Sequence, residues 1–149
     1  MHRDHRARKR AEGFSAWLAA KGQEAQVIAL EHNTSQAELS EVFDQIASYS
    51  GGPQGLCCSN DVLAIAALFE AQRRGIAVPE QLAVAGFGDL PLSKLSAPRL
   101  TTVRPFPAEI GRTVASQLLA WIEAGTLPEQ PKVVDLGFEL VVRESSVRR

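Results

Sequence analysis

The sequence holds 149 residues, with 16 Lys and Arg against 17 Asp and Glu, a formal net charge of -1, 45% hydrophobic and 22% charged residues. These proportions suit one soluble globular domain long enough to bury a core, and they exclude collagen-like, coiled-coil and wholly disordered classes. No run approaches eighteen consecutive apolar residues, so no membrane partner is expected.

The apolar pattern changes period in a regular order. Phe14, Trp17 and Leu18 fall at i, i+3 and i+4, which predicts a helix over about residues 6–21 with an inward apolar face, stopped by Gly22. Residues 25–30 are short and apolar, a first strand. Asn33 or Thr34 offers an N-cap for a second helix carrying Leu39, Val42, Phe43 and Ile46. Ser50-Gly51-Gly52-Pro53 breaks it, and Gly55-Leu56-Cys57-Cys58 forms the next strand. Ser59-Asn60-Asp61 caps a third helix with Val62, Ile65, Ala66 and Phe69 on one face and Gly75 as its stop. Residues 82–87 are a third, almost wholly apolar strand. Residues 90–99 read as a surface loop and residues 100–103 as a strand-like link. Pro107 opens a helix to about Ala124, with Ile110, Val114, Leu118, Trp121 and Ile122 on one stripe and Gly125 at its end. Val133-Val134 and Leu140-Val141-Val142 are final strands before a polar tail, residues 143–149.

Near-continuous apolar strands alternating with helices indicate a parallel sheet covered on both faces, an α/β doubly wound arrangement. Ligands in such sheets bind beyond the carboxyl ends of the strands, which directs attention to residues 31–35, 59–61 and 88–89.

Charge is uneven. Residues 1–10 carry five basic groups against Asp4, and the rest of the chain is acidic. Such a start suits a nucleic-acid arm, a solvated helical turn, or an arginine aimed into a small-molecule cleft. The adjacent Cys57 and Cys58 would point to opposite faces of a strand, so a reduced, cytoplasmic chain is expected. The N-terminus has no apolar stretch of secretory type.

Catalytic signatures are missing: no Gly-x-Ser-x-Gly, no phosphate loop, no zinc-type Cys/His spacing. Gly86-Phe87-Gly88-Asp89 lacks the third glycine of a dinucleotide fingerprint. No cofactor and no metal site are expected, and a binding role outranks an enzymatic one. Arg10, Asn33, Asn60 and Asp89 remain as polar groups at strand ends. Guanidinium suits a carboxylate, and amide or carboxylate groups suit hydroxyls, as in a sugar acid or polyol. Asn60 fits a helix cap equally well, Asp89 a loop anchor, and Arg10 a solvated side chain.

Several segments, in order, resemble the effector domain of LacI-type transcriptional regulators. They are Arg10-Ala11-Glu12-Gly13-Phe14, Ser59-Asn60-Asp61, Val78-Pro79, Val84-Ala85-Gly86-Phe87, Leu100-Thr101-Thr102-Val103 and Val142-Arg143-Glu144-Ser145. The resemblance implies a periplasmic-binding-protein-like fold with two subdomains around an effector cleft. On that template residues 1–100 form most of the C-terminal subdomain, 101–125 belong to the N-terminal subdomain, and 126–149 return. The DNA-binding headpiece is absent, so operator DNA would be a partner only through that missing part.

Carried over residue by residue, Arg10 and Asn60 fall on effector-contacting positions, with Phe87, Asp89 and Asn33 beside them. Ile65 and Leu95 fall on a homodimer interface. Many members place an acid directly after Gly-Phe, where this chain has Gly88. Gly-Phe-Gly-Asp is similar to the gluconate-operon repressor branch, which implies a sugar-acid effector paired with Arg10. A periplasmic-type sugar-binding protein for transport and a small enzyme using Asp61 or Asp89 are the alternatives.

Overall fold

The computed structural model describes residues 4–30, 35–48, 54–126, 130 and 133–147. Its elements in chain order are α1 (His5–Ala19), α2 (Gln36–Ser48), β1 (Gln54–Cys57), α3 (Asp61–Arg73), β2 (Leu82–Phe87), a 3-10 turn (Pro91–Lys94), β3 (Thr101–Pro105), α4 (Pro107–Ala124) and β4 (Phe138–Val141). The strands form one sheet in the order β1-β2-β3-β4. β1, β2 and β3 run parallel, with Ala85 opposite both Cys57 and Thr101. β4 is antiparallel to β3, Val103 facing Leu140. The α/β class and the parallel core agree with the sequence pattern.

One face of this sheet is well covered. Ala64, Ile65, Ala67, Leu68 and Ala71 of α3 pack with Leu82, Val84, Leu100 and the fully buried Phe43 of α2. Three alanines keep the surface of α3 shallow, which lets the helix sit close to the strands. Gly86 shows how close: a Cβ there would stand 2.3 Å from Asp61 Oδ1 and 3.1 Å from the Ala64 Cβ. Only glycine fits that position without displacing a buried carboxylate.

Charge ties α2 to α3 at the rim of this core. Arg73 Nε donates to Glu70 Oε2 at 2.9 Å, and Arg74 Nε donates to Glu70 Oε1 at 2.6 Å. Arg74 also reaches Asp44 and the Ser40 carbonyl on α2. Hydrogen bonds from Arg73 and Arg74 hold the buried Glu70 carboxyl down to about 2.

Several sequence expectations need correction. Residues 25–30 form no ladder; among the described residues the sheet ends at β1, and Val27 is 63% exposed. A short apolar run becomes a strand only when an edge receives it. α1 exists, but it buries none of its residues, and Phe14 and Trp17 are exposed instead of packed inward. The cap of α2 is Ser35, whose Oγ accepts from Glu38 N while Ser35 N donates to Glu38 Oε2; Asn33 and Thr34 lie outside the described residues. On α3 the inward face runs through Ala64, Leu68 and Ala71, with Val62 and Phe69 outward. Val133 and Val134 are not in a strand, and the final strand is β4.

The expected polar tail is in part core. Ser145 is fully buried: its Oγ donates to the Val84 carbonyl at 2.6 Å and accepts from Thr101 N at 2.8 Å. Its carbonyl accepts from Val84 N at 2.8 Å. Every polar atom taken into this seam has a partner, which is the condition for burying it.

Candidate functional site

The carboxyl ends of β1 and β2, together with α1, bring three expected residues to one edge of the sheet. Arg10, in the second turn of α1, donates through Nη2 to the Ser59 carbonyl at 3.0 Å. Its guanidinium carbon lies 4.3 Å from the centroid of the Phe87 ring, at the last residue of β2. A guanidinium stacked on an aromatic face keeps its charge while losing rotational freedom. Arg10 Nε is buried and has no hydrogen-bond partner among the described residues.

The nine described arginines make a useful contrast. Arg6, Arg8, Arg73, Arg74, Arg99, Arg104, Arg112 and Arg143 each meet a carboxylate. Arg10 has no carboxylate partner among the described residues. It is held by a backbone oxygen and a ring, neither of which neutralises it.

Asn60 stands beside Ser59 as the N-cap of α3, its Oδ1 accepting from Leu63 N at 2.9 Å. The cap occupies the amide oxygen, so the amide nitrogen is the end available to donate. The cap and ligand readings of this residue are therefore compatible. Asn33 lies outside the described residues.

Asp89 sits as the loop anchor that its sequence position also allows. Its side chain is nearly buried, and its oxygens accept from Arg104 Nε at 2.6 Å and from Arg143 Nη2. Burial works to raise its carboxyl, and the hydrogen bonds from Arg143 and Arg104 outweigh it, so the group sits below its usual range. With φ at 50°, in the left-handed region, Asp89 turns the chain from β2 toward those two arginines. It anchors β3 and the segment after β4.

The sequence places Asp61 at the start of the third helix and offers it an acid-base role; its surroundings assign a structural one. Asp61 is fully buried, and its carboxylate accepts from Leu90 N at 2.8 Å, Ser93 Oγ at 2.7 Å and Thr102 Oγ1 at 2.5 Å. A carboxylate cut off from solvent and engaged by three donors from two other segments has a structural role. Thr102, Arg104 and Arg143 stand in or beside segments that carry the family resemblance, but neither they nor Ser93 is marked by the sequence as a partner of Asp61 or Asp89. The available signal was the polar content of β3, two threonines and an arginine beside Val103.

Of the two expected interface residues, Leu95 is 78% exposed and Ile65 only 5%. The outward positions of α3 are Val62 and Phe69. Two shallow grooves, of about 340 and 300 Å³, lie elsewhere, one along Arg99, Val142 and Val147 and one along Leu118, Trp121 and Ile122. Neither includes Arg10, Asn60 or Phe87, which sit at an open edge. Among the described residues no group of three His, Cys, Asp or Glu could hold a metal ion, and no helix is long and apolar enough to cross a membrane.

Residues 1–146 match the periplasmic binding protein-like domain family. The chain is 41% identical over 145 residues to the HTH-type transcriptional regulator GntR of Pseudomonas aeruginosa, covering 96% of this chain and 42% of that protein. The crystal structure of transcription regulator GntR from Chromobacterium violaceum superposes with a TM-score of 0.78 at 39% identity, covering 96% of this chain and 53% of the other. A transcriptional regulator CelR–cellobiose complex gives 0.77 at 26% identity over 93% of this chain and 42% of the other. The chain thus spans about half the length of the relatives it matches, and those relatives are named as regulators, not enzymes.

Proposed function

This chain belongs to the periplasmic binding protein-like domain family, and from that premise we propose that it is the effector-sensing part of a LacI-type transcriptional repressor that responds to a sugar acid, gluconate first among candidates. One observation carries the reading: Arg10 is stacked, oriented and without a carboxylate partner among the described residues. A ligand carboxylate supplies the missing charge through charge-assisted hydrogen bonds. Asn60 would donate its amide nitrogen to a hydroxyl of the same ligand. Gly88, where an acid would repel an anion, supports this choice, as do the names of the GntR relatives.

On this reading residues 1–100 are one wall of the cleft, 101–125 enter the other subdomain, and 126–149 return. The exposed stripe of α4, Ile110, Val114, Leu118 and Ile122, is the part that the other subdomain covers. Operator DNA is contacted through a separate headpiece, in the cytoplasm. Two copies would pair through Leu95 and the outward residues of α3.

The test is a nuclear magnetic resonance titration of the 149-residue chain with gluconate and, separately, glucose. A cleft with one wall loses much of its contact surface, so weak, millimolar-range binding is expected. Gluconate should shift the Arg10 Nε–H and Asn60 amide signals, and glucose should shift them far less. Equal responses to both sugars, or no response at Arg10, would overturn the sugar-acid reading.

A further inference from the structure

Asn60 and Asp61 are neighbours in sequence, yet their side chains serve different parts of the molecule. Asn60 holds the first turn of α3 through Leu63 N. Asp61 faces the other way, into a pocket floored by Gly86, and collects donors from two further elements. Leu90 N and Ser93 Oγ come from the segment after β2, and Thr102 Oγ1 comes from β3. The Ser93 carbonyl in turn accepts from Leu100 N at 2.8 Å, closing this segment back onto the start of β3. Asp61, Ser93 and Thr102 are each fully buried.

We propose that Asp61 is a positioning residue that couples the α3 N-terminus at Asn60 to residues 90–96, so that a change at Asn60 is transmitted to the Leu90 amide and to the exposed Leu92 and Leu95. The physical reason is the absence of slack. No water reaches the fully buried carboxylate to replace a lost donor, so each separated bond leaves an unsatisfied polar group. Gly86 below removes room for the carboxylate to retreat, since even a methyl would be 2.3 Å from Oδ1. A shift of the peptide joining Asn60 to Asp61 therefore carries Leu90 and Ser93 with it. This rests on the proposed function only for the origin of the signal, because the coupling exists whether or not Asn60 meets a ligand.

Coupling is a non-additivity between two changes, and a double-mutant cycle measures it. Amide hydrogen exchange at Leu90 is followed in the 149-residue chain for the parent, Asn60→Ala, Asp61→Asn and the double variant, with no effector present. Asn60→Ala should speed Leu90 exchange by about threefold or more in the parent and leave it unchanged in the Asp61→Asn background. Should Asp61→Asn fail to fold, Ser93→Ala, which removes one of the two links to this segment, replaces it, and the effect of Asn60→Ala at the Ser96 amide should then be at least halved. An equal effect of Asn60→Ala in both backgrounds, or none in the parent, overturns the coupling. Because no ligand is used, a negative gluconate titration and a negative cycle remain separate results.

Discussion

α3 and α4 are both built on apolar periodicity, and they end in opposite states. α3 buries Asp61, Ala64, Ile65, Ala67, Leu68, Glu70 and Ala71, while α4, five residues longer, buries nothing. The stripe of α4 repeats every four residues through Ile110, Val114, Leu118 and Ile122, so its pattern is no weaker. The difference lies in what stands opposite. α3 faces β2, Leu100 and Phe43, with small residues that allow close approach and polar groups that are all engaged. A periodic stripe specifies a helix; only a complementary surface specifies where it packs.

The largest effect that could break this contrast belongs to Phe43, fully buried between α2 and α3. Phe43→Ala should destabilise the chain by roughly 3–5 kcal/mol in urea unfolding. Gly86→Ala comes next, at about 1–3 kcal/mol, because the new methyl meets the Asp61 carboxylate. On α4, Leu118→Ser combined with Ile122→Ser should change stability by less than about 0.5 kcal/mol and reduce self-association in light scattering. A loss comparable to that of Phe43→Ala would mean that α4 is packed after all.

Acid sharpens the comparison at the α2–α3 rim. The folded Glu70 carboxyl lies at about 2, below its ordinary 4.5, so its contribution is present above about 4.5 and is lost as pH falls toward 2. Glu70→Gln should flatten the stability profile in that window and leave its shape near pH 7 unchanged. The smallest effect concerns thiols. Burial, with Cys57 and Asp61 adding to it, pushes the Cys58 thiol up to about 12. At pH 8 Cys58 should be alkylated only on unfolding, as peptide mass spectrometry would detect.

Much of this was legible in the sequence, and the failures share a cause. The helices, the parallel strands 82–87 and 54–57, and the meeting of Arg10, Asn60 and Phe87 follow from period, capping residues and family resemblance. On α3 the pattern marks the buried Ile65 but also the exposed Val62 and Phe69, because the alanines that fill the tightest contact carry little hydrophobic signal. Residues 25–30 and the exposed Trp17 were misread because periodicity is local, while burial depends on a surface elsewhere in the chain or outside it. Ser145 was read as tail because its burial depends on three hydrogen bonds to Val84 and Thr101, residues more than forty positions away. Asp89 matched a motif position, but its two arginine partners come from β3 and the segment after β4, which no short motif contains.

Arg10 offers the most direct measurement of the central claim. Lysine keeps the charge and loses the planar fork that pairs with a carboxylate through two hydrogen bonds and stacks on Phe87. Losing such a charge-assisted pair costs on the order of 2–5 kcal/mol, which is half or more of the roughly 4 kcal/mol of a millimolar binding energy. Gluconate titration of Arg10→Lys, with unfolding curves matched to the parent, should therefore show no measurable binding. If Arg10→Lys binds gluconate as the parent does, the guanidinium is not the effector contact and the sugar-acid assignment fails with it.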